Sequence, residues 1–184
     1  MPKVLLGVTG SVAAVVAPKL AQALSDSGFG VRIIVTEKSL YFCKLGNFAY
    51  SIPVYRNNDE WNGLEYKKDS EVLHIELRKW ADILLIAPLT ANTLAKLANG
   101  LADNLLTSVA RAWDTTKPVV IAPAMNTLMW EHPATNEHLS KLIRWYPALR
   151  ILHPVVKILA CGDTGVGALA PIETIVEEVK ICAH

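Results

Sequence analysis

The sequence has few cysteines and lacks long apolar runs. Its three cysteines, Cys43, Cys161 and Cys182, are odd in number and widely spaced, which argues against a disulfide framework and for a reducing compartment. None forms a CxxC pair, so we expect no zinc or other metal site. No basic and apolar leader opens the chain, and no apolar run approaches membrane-spanning length. We therefore expect a cytoplasmic protein outside the membrane.

An excess of charge of one sign is also missing. With 18 basic and 17 acidic residues, the chain should have no general attraction to nucleic acid or to an anionic membrane. Any phosphate must therefore be recognised locally. A length of 184 residues with 52% hydrophobic content is enough to bury one sizeable core, but it leaves no room for a second catalytic domain. We expect a single domain over residues 1–184.

Short apolar runs alternate with longer helical patterns along the chain. Strands are expected at residues 4–8, 31–35, 83–87, 119–122 and 149–152. Helices are expected at residues 12–25, 91–98, 104–113, 136–145 and 172–181, with residues 55–70 as a loop. This alternation predicts an α/β fold of the Rossmann-like type, an open parallel sheet with helices on both faces. Pro18 requires the first helix to kink or to begin its regular part later.

Hydroxyl-bearing residues follow three of the expected strands. Gly10 and Ser11 follow the first strand, Thr36 and Ser39 the second, and Thr90 the third. A glycine and hydroxyl donors at a helix start can cradle a phosphate, and ligands of parallel sheets bind beyond the carboxyl ends of the strands. The chain lacks both GxGxxG and a P-loop lysine, so ordinary N-capping by these side chains stays open as the alternative.

Two further segments carry the most specific signal. The stretch 123–130 reads Pro-Ala-Met-Asn-Thr-Leu-Met-Trp, and the stretch 161–167 reads Cys-Gly-Asp-Thr-Gly-Val-Gly. Taken singly, the first could be an apolar strand end and the second a surface turn. Together with residues 72–77, 80–82 and 103–107, they resemble segments of the phosphopantothenoylcysteine decarboxylases, flavin-dependent carboxy-lyases of coenzyme A synthesis.

The resemblance implies a flavoprotein that uses FMN. The matching cofactor-binding positions are Gly10, Ser11, Val12, Thr36, Ser39, Thr90, Ala91, Asn92, Thr93 and Ala124. In such enzymes the flavin oxidises the substrate thiol, carbon dioxide is lost, and the reduced flavin returns the electrons to the enethiol that forms, so the cofactor supplies an electron sink. The family is also homo-oligomeric, with trimers as the unit and flavin sites at subunit contacts. Nothing in the composition indicates that trimer independently.

Catalytic roles follow from the same resemblance. His74 matches a residue suited to proton transfer or carboxylate contact, although a lone histidine is more often structural. Asn126 can donate to the substrate carboxylate, or it can simply cap a loop. Cys161 is the candidate acid that protonates the enethiol, in a loop that Gly162, Gly165 and Gly167 would make mobile.

Substrate contacts are expected from Met129, Lys79, Lys157 and Gly165. The two lysines stand where close relatives usually carry a second arginine or a fuller basic pair. Lysine lacks the planar fork of arginine, so both lysines could instead be solvated surface residues. Trp130 is expected in the core, and Cys43 and Cys182 have no matching role.

Other functions remain open from the sequence. A peptidyl-cysteine decarboxylase would share FMN, His74 and Asn126 but would recognise a peptide carboxyl terminus. A flavin prenyltransferase would share the fold but should lack both the 123–130 segment and the segment around His74. A phosphatase-binding regulator of the same fold usually carries long acidic extensions, which this sequence does not have.

Overall fold

Six parallel strands form the main sheet of the computed structural model, which describes residues 1–61, 71–158 and 164–183. They are β1 (Lys3–Val8), β2 (Gly30–Val35), β3 (Val54–Tyr55), β4 (Ile83–Leu89), β5 (Val119–Pro123) and β6 (Leu149–Ile151). Their order is β3-β2-β1-β4-β5-β6, with parallel pairing throughout this sheet. The strand order reverses between β1 and β4, and open sheets bind ligands outside the carboxyl ends of the strands at such a reversal.

Helices cover both faces of the sheet, which confirms the predicted fold class. They are α1 (Ala17–Asp26), α2 (Leu73–Trp80), α3 (Ala91–Ala98), α4 (Leu105–Arg111), α5 (Thr127–Glu131), α6 (Pro133–Trp145) and α7 (Ile172–Cys182). Val4, Leu6 and Val8 of β1 pack with residues of α1 and α7. Leu5 points to the other face and packs with residues of α2, α3, α4 and α6, as the two-residue period of a strand requires.

Burial on both faces explains why the strands read as continuous apolar runs. All seven residues of β4 are buried. Each fully buried leucine or isoleucine side chain contributes roughly 1.5–3 kcal/mol through removal of apolar surface from water. All five predicted strands are present, each within two residues of its predicted bounds, and full burial explains the apolar runs of β4 and β5.

The first helix begins later than the apolar pattern alone predicts. Ser11 caps a 3-10 turn at Val12–Val16, and α1 starts at Ala17 with Pro18 in its first turn. A proline is tolerated there because the first backbone N–H groups of a helix have no intrahelical partner. Of the two outcomes that Pro18 allowed, the later start is therefore the right one. The helix ends before Gly28, whose φ of 87° is a conformation that favours glycine.

Several short elements were not predicted. They are β3, α2, α5 and the antiparallel hairpin of β7 (Val155–Ile158) and β8 (Thr164–Ala168). His74 is the second residue of α2. The expectation that Gly165 and Gly167 belong to a mobile loop was wrong, because both lie within β8. The expected loop at 55–70 contains Tyr55 of β3 and a 3-10 turn at Asn57–Trp61, and its remainder from 62 lies outside the described residues.

In the described part of the chain, every helix is too short or too polar to cross a bilayer.

Candidate active site

A cavity of about 970 Å³ lies at the carboxyl ends of β1, β2, β4 and β5. Its wall contains every predicted cofactor-binding residue except Ser39, namely Gly10, Ser11, Val12, Thr36, Thr90, Ala91, Asn92, Thr93 and Ala124. These residues come from four separate loops, and the parallel sheet brings them together because all its carboxyl ends meet at one edge.

At the β1 end of the cavity, Gly10 packs directly on Lys38 of the turn that follows β2. A Cβ added at Gly10 would collide with the Cβ of Lys38, and it would lie 3.0 Å from the backbone carbonyl carbon of Lys38. The Ser11 side chain accepts a hydrogen bond from the Ala13 N–H at 3.3 Å, so Ser11 caps the turn and lines the cavity at once. Backbone donors at such a start carry partial positive charge, which suits a phosphate.

The β2 end holds its turn through hydrogen bonds. The backbone N–H and the hydroxyl of Thr36 both donate to the Val8 carbonyl, at 3.0 and 3.3 Å. The Ser39 side chain is fully buried, and its hydroxyl donates to the Thr36 carbonyl at 2.6 Å. The predicted contact between the Ser39 side chain and the cofactor is therefore not seen in this geometry, since that hydroxyl fixes the turn instead of facing the cavity.

Thr9 is a structural residue of the site that the sequence reasoning missed. Its hydroxyl donates to the Pro88 carbonyl at 2.7 Å and accepts from the Thr90 N–H at 2.9 Å, so it ties the ends of β1 and β4 together. Thr90 caps α3 by accepting from the Thr93 N–H at 3.3 Å, and it also lines the cavity. A threonine directly after an apolar strand was the available signal for Thr9.

An ion pair between Lys96 and Asp103 also lines the cavity and was not predicted as part of it. The hydrogen bond from Lys96 lowers the pKa of the Asp103 carboxyl, with smaller help from the Thr107 hydroxyl. Asn104 follows and caps α4 by accepting from the Thr107 N–H at 3.0 Å. The signal for Lys96 was its place one helical turn after Thr93 on the same face of α3.

The segment 123–130 contacts the described part of the segment 161–167, and we call these two stretches the signature segments. The Met125 N–H donates to the Gly167 carbonyl at 2.9 Å. A Cβ at Gly167 would collide with the Met125 carbonyl oxygen, and one at Gly165 would collide with the Thr127 hydroxyl. Both glycines are therefore needed because β8 packs directly on the chain that follows β5. Gly165 itself does not line the cavity.

In the sequence, Asn126 falls between Met125 and Met129, which both line the cavity. Its side-chain oxygen accepts from the Leu128 N–H at 2.9 Å and so caps α5, which is the capping role that the sequence left open. Met129 lines the cavity and is 49% exposed. Trp130, expected in the core, is only partly buried and packs against the edge of the core.

His74 lies away from the cavity wall of its own chain. Its Nδ1 is 2.7 Å from the Glu60 Oε1, and its backbone N–H donates to the Glu60 Oε2 at 3.2 Å. Sequence reasoning missed Glu60 because this residue falls in the stretch interpreted as a loop without a period.

The geometry favours the solvated alternative for both predicted lysines. Lys79 is exposed and pairs with Glu76 of the same helix at 2.8 Å. Lys157 is exposed on β7, in register with Gly165. Neither lysine lines the cavity.

Cys43 and Cys182 are free thiols. Burial raises the pKa of both, and Glu178 adds to the effect at Cys182, so both stay protonated at neutral pH. Neither lines the cavity. Cys161 and Gly162 lie outside the described residues.

Comparisons with known proteins agree with this architecture. The model of the flavoprotein family matches residues 1–184. The chain is 47% identical over 180 residues to a phosphopantothenoylcysteine decarboxylase of Oryza sativa subsp. japonica, covering 98% of this chain and 80% of that protein.

Solved structures give the same result. A mutant PPC decarboxylase complexed with pantothenoylaminoethenethiol is 46% identical with a TM-score of 0.92, over 98% of this chain and 97% of that one. The FMN binding protein AtHal3 is 47% identical with a TM-score of 0.88, over 98% and 95% of the two chains. The chain therefore belongs to the flavoprotein family, in the group of the phosphopantothenoylcysteine decarboxylases.

Proposed function

We propose that this protein is an FMN-dependent carboxy-lyase that converts phosphopantothenoylcysteine to phosphopantetheine in coenzyme A synthesis. The observation that carries the proposal is the cavity at the reversal of strand order, formed by the residues that match those of the decarboxylases. A single domain over residues 1–184 and a cytoplasmic location belong to the same proposal.

The cavity residues fit FMN. One end offers the Gly10–Ser11 turn, where the Ser11 hydroxyl accepts from the Ala13 N–H and keeps its own proton to donate to a phosphate. The other end offers Thr90, Thr93 and apolar side chains, including those of Ala124 and Met129, which suit a ribityl chain and a ring system. Since the sequence lacks a dinucleotide fingerprint, we expect a mononucleotide.

Bound FMN would supply the electron sink, accepting two electrons from the substrate thiol and returning them after carbon dioxide has left. The side chains would do the remaining work. His74 would move a proton or hold the carboxylate. Asn126 would orient the substrate from the segment between Met125 and Met129, and Cys161 would protonate the enethiol.

We also infer a homo-oligomer built of trimers, as in the wider family. The support is the position of His74, which does not line the cavity of its own chain. Further support comes from Val12, Tyr41 and Met129, cavity residues that are 48%, 87% and 49% exposed. Apolar surface of this kind is typical of a protein contact. Sedimentation would test it, because a monomeric active enzyme would contradict a shared site.

The decisive experiment is to purify the protein, extract its pigment and supply phosphopantothenoylcysteine. We expect FMN and the release of carbon dioxide. A colourless protein, or one holding a dinucleotide, would refute the cofactor assignment. Turnover of peptides ending in cysteine, but not of phosphopantothenoylcysteine, would favour the peptidyl-cysteine decarboxylase alternative. Bound FMN without either activity would favour a regulatory role.

Cys161→Ser tests the last step of the reaction separately. A serine hydroxyl is a far weaker acid than a thiol, so the variant should release carbon dioxide but stall at the enethiol, a product two hydrogens lighter than phosphopantetheine. Mass spectrometry after one anaerobic turnover would detect it. Normal phosphopantetheine formation would remove Cys161 from the mechanism.

A further inference from the structure

Glu60 is buried against His74 and makes two contacts with it. The Glu60 side chain is only 5% exposed, with Oε1 at 2.7 Å from the His74 Nδ1 and Oε2 accepting the His74 backbone N–H at 3.2 Å. A buried carboxylate needs such partners because its desolvation is otherwise costly. Among the residues that the structure describes, His74 contacts both oxygens of Glu60.

The backbone contact also explains how α2 begins. The residue at its N-cap, Val72, provides no side-chain hydrogen bond to the helix. Glu60 fills that role from another element, and a negative charge at this end is favoured by the helix dipole. The carboxylate thus fixes the start of α2 and the ring of His74 together.

The turn that carries Glu60 is itself anchored to the cavity. Asn57, at the start of the same 3-10 turn, lines the cavity and accepts from the Leu105 N–H at 3.0 Å. The turn is braced by the Arg56 N–H, which donates to the Asp59 Oδ2 at 2.7 Å. The same turn therefore contributes Asn57 to the cavity wall and Glu60 to the contact with His74.

The contact with Glu60 decides which nitrogen of His74 exchanges protons. An ionised carboxylate can only accept hydrogen bonds, so the Nδ1 must carry a proton whether the imidazole is neutral or charged. Only Nε2 then gains and loses a proton. The hydrogen bond of one ring nitrogen sets the state of the other in this way.

We propose that Glu60 is a positioning residue that holds neutral His74 in the Nδ1–H tautomer and makes Nε2 the atom that accepts or holds the proton during turnover. The inference rests on the proposed function for its catalytic part. The tautomer itself is a property of the resting protein.

The tautomer can be read by NMR of FMN-loaded protein labelled with ¹⁵N-histidine, at about pH 9, well above the ordinary histidine pKa of about 6.5. The chain supplies an internal reference. His132 accepts from the Ala134 N–H at its Nδ1, at 3.1 Å, so it should show the opposite Nε2–H form. We expect Nδ1–H for His74 in the wild type, and loss of this exclusive form in Glu60→Gln, whose amide can also donate.

The matched control is Glu76→Gln. It removes a carboxylate from the first turn of the same helix, where Glu76 pairs with Lys79 and not with His74. The His74 tautomer should not change in this variant. FMN absorbance in each variant checks that the fold is retained.

The kinetic arm compares wild type with Glu60→Gln. A positioned acid or base contributes roughly 10²- to 10⁴-fold, so its misorientation should lower kcat on the order of tenfold or more, with KM and FMN content nearly unchanged. An Nε2–H form of His74 in the wild type, or a tautomer unaffected in Glu60→Gln, would overturn the proposal. A changed tautomer with normal kcat would overturn the catalytic part. An Nδ1–H signal in a wild type that does not decarboxylate would count against the proposed function alone.

Discussion

The residues predicted to bind the cofactor and those predicted to act on the substrate differ in how the chain places them. The first group lines one cavity within the protomer, with the Ser39 side chain as the exception. In the second group, Met129 lines that cavity, while His74, Asn126, Lys79, Lys157 and Gly165 do not.

This difference follows from the fold. Cofactor residues lie at or shortly after strand ends, where the sheet brings them to one edge and local hydrogen bonds such as those of Thr9 hold the turns. Substrate residues sit on α2, on α5 and on the hairpin, which need packing against other elements. The sheet therefore brings the predicted cofactor residues together, whereas the predicted substrate residues lie on elements that are placed by packing against other elements.

The largest expected effect separates the two groups at His74. His74→Asn keeps a donor near the position of Nδ1 for the buried Glu60 but removes Nε2, so the fold and FMN should be retained while kcat falls by roughly 10²-fold or more. Flavin absorbance and carbon dioxide release measure the two properties. His138→Ala, on α6, is the control and should keep normal turnover. Loss of FMN in His74→Asn would contradict the separation of His74 from the residues that bind the cofactor.

Gly10→Ala should weaken FMN binding, in contrast to His74→Asn, which should leave it intact. In Gly10→Ala the new Cβ would collide with Lys38, so the β1 turn must shift and FMN affinity should fall at least about tenfold, or about 1.4 kcal/mol. Gly46→Ala is the matched control, because a Cβ there meets nothing within 4 Å. Fluorescence titration of the apoprotein with FMN gives both constants. Equal affinities would show that the turn adapts.

Gly167→Ala tests the junction of the two signature segments. The added Cβ would press on the Met125 carbonyl and displace β8, which should lower the free energy of unfolding by about 1–3 kcal/mol. Turnover should fall more than FMN content, because Asn126 moves while the β1 and β2 turns do not. Urea unfolding, with Gly46→Ala as reference, measures the first effect. An unchanged unfolding free energy would mean that β8 is loosely held.

An element could be predicted when its own residue pattern indicates it, and it was missed when contacts with distant parts of the chain hold it in place. Runs such as residues 83–87 are buried on both faces and are recognisable from apolarity alone. The helix α2 has only two turns, and its apolar pattern consists of Leu73, Leu77 and Trp80. Its first turn is capped by the carboxylate of Glu60, which belongs to a different element. The strand β8 contains two glycines that suggest a loop, yet they are required by close packing that no local pattern reveals.

The site was predictable to the same extent. Hydroxyl residues after strands indicated Ser11, Thr36 and Thr90, all of which line the cavity. Thr9 and Glu60 were missed because their roles are to hold other residues in place. Such roles appear only when chain segments far apart in sequence come into contact.

The smallest expected effect lies at the Lys96–Asp103 pair, which borders the cavity without belonging to either predicted group. Lys96 lowers the pKa of Asp103 in the folded protein. A carboxyl whose pKa is lowered by folding stabilises the native state above its unfolded pKa of about 3.9, and this stabilisation is lost as the pH falls through the folded pKa. Asp103 is 49% exposed, so solvent screening should limit the contribution to less than about 1 kcal/mol.

A double-mutant cycle of Lys96→Gln and Asp103→Asn measures this coupling by urea unfolding. It should be constant from about pH 8 down to about pH 5, shrink below that range as Asp103 protonates, and weaken in high salt. Bound FMN should change it little if the pair only shapes the wall. A coupling that grows as the pH falls would contradict the sign of the pKa shift, and one several times larger with FMN would move the pair into the cofactor-binding group.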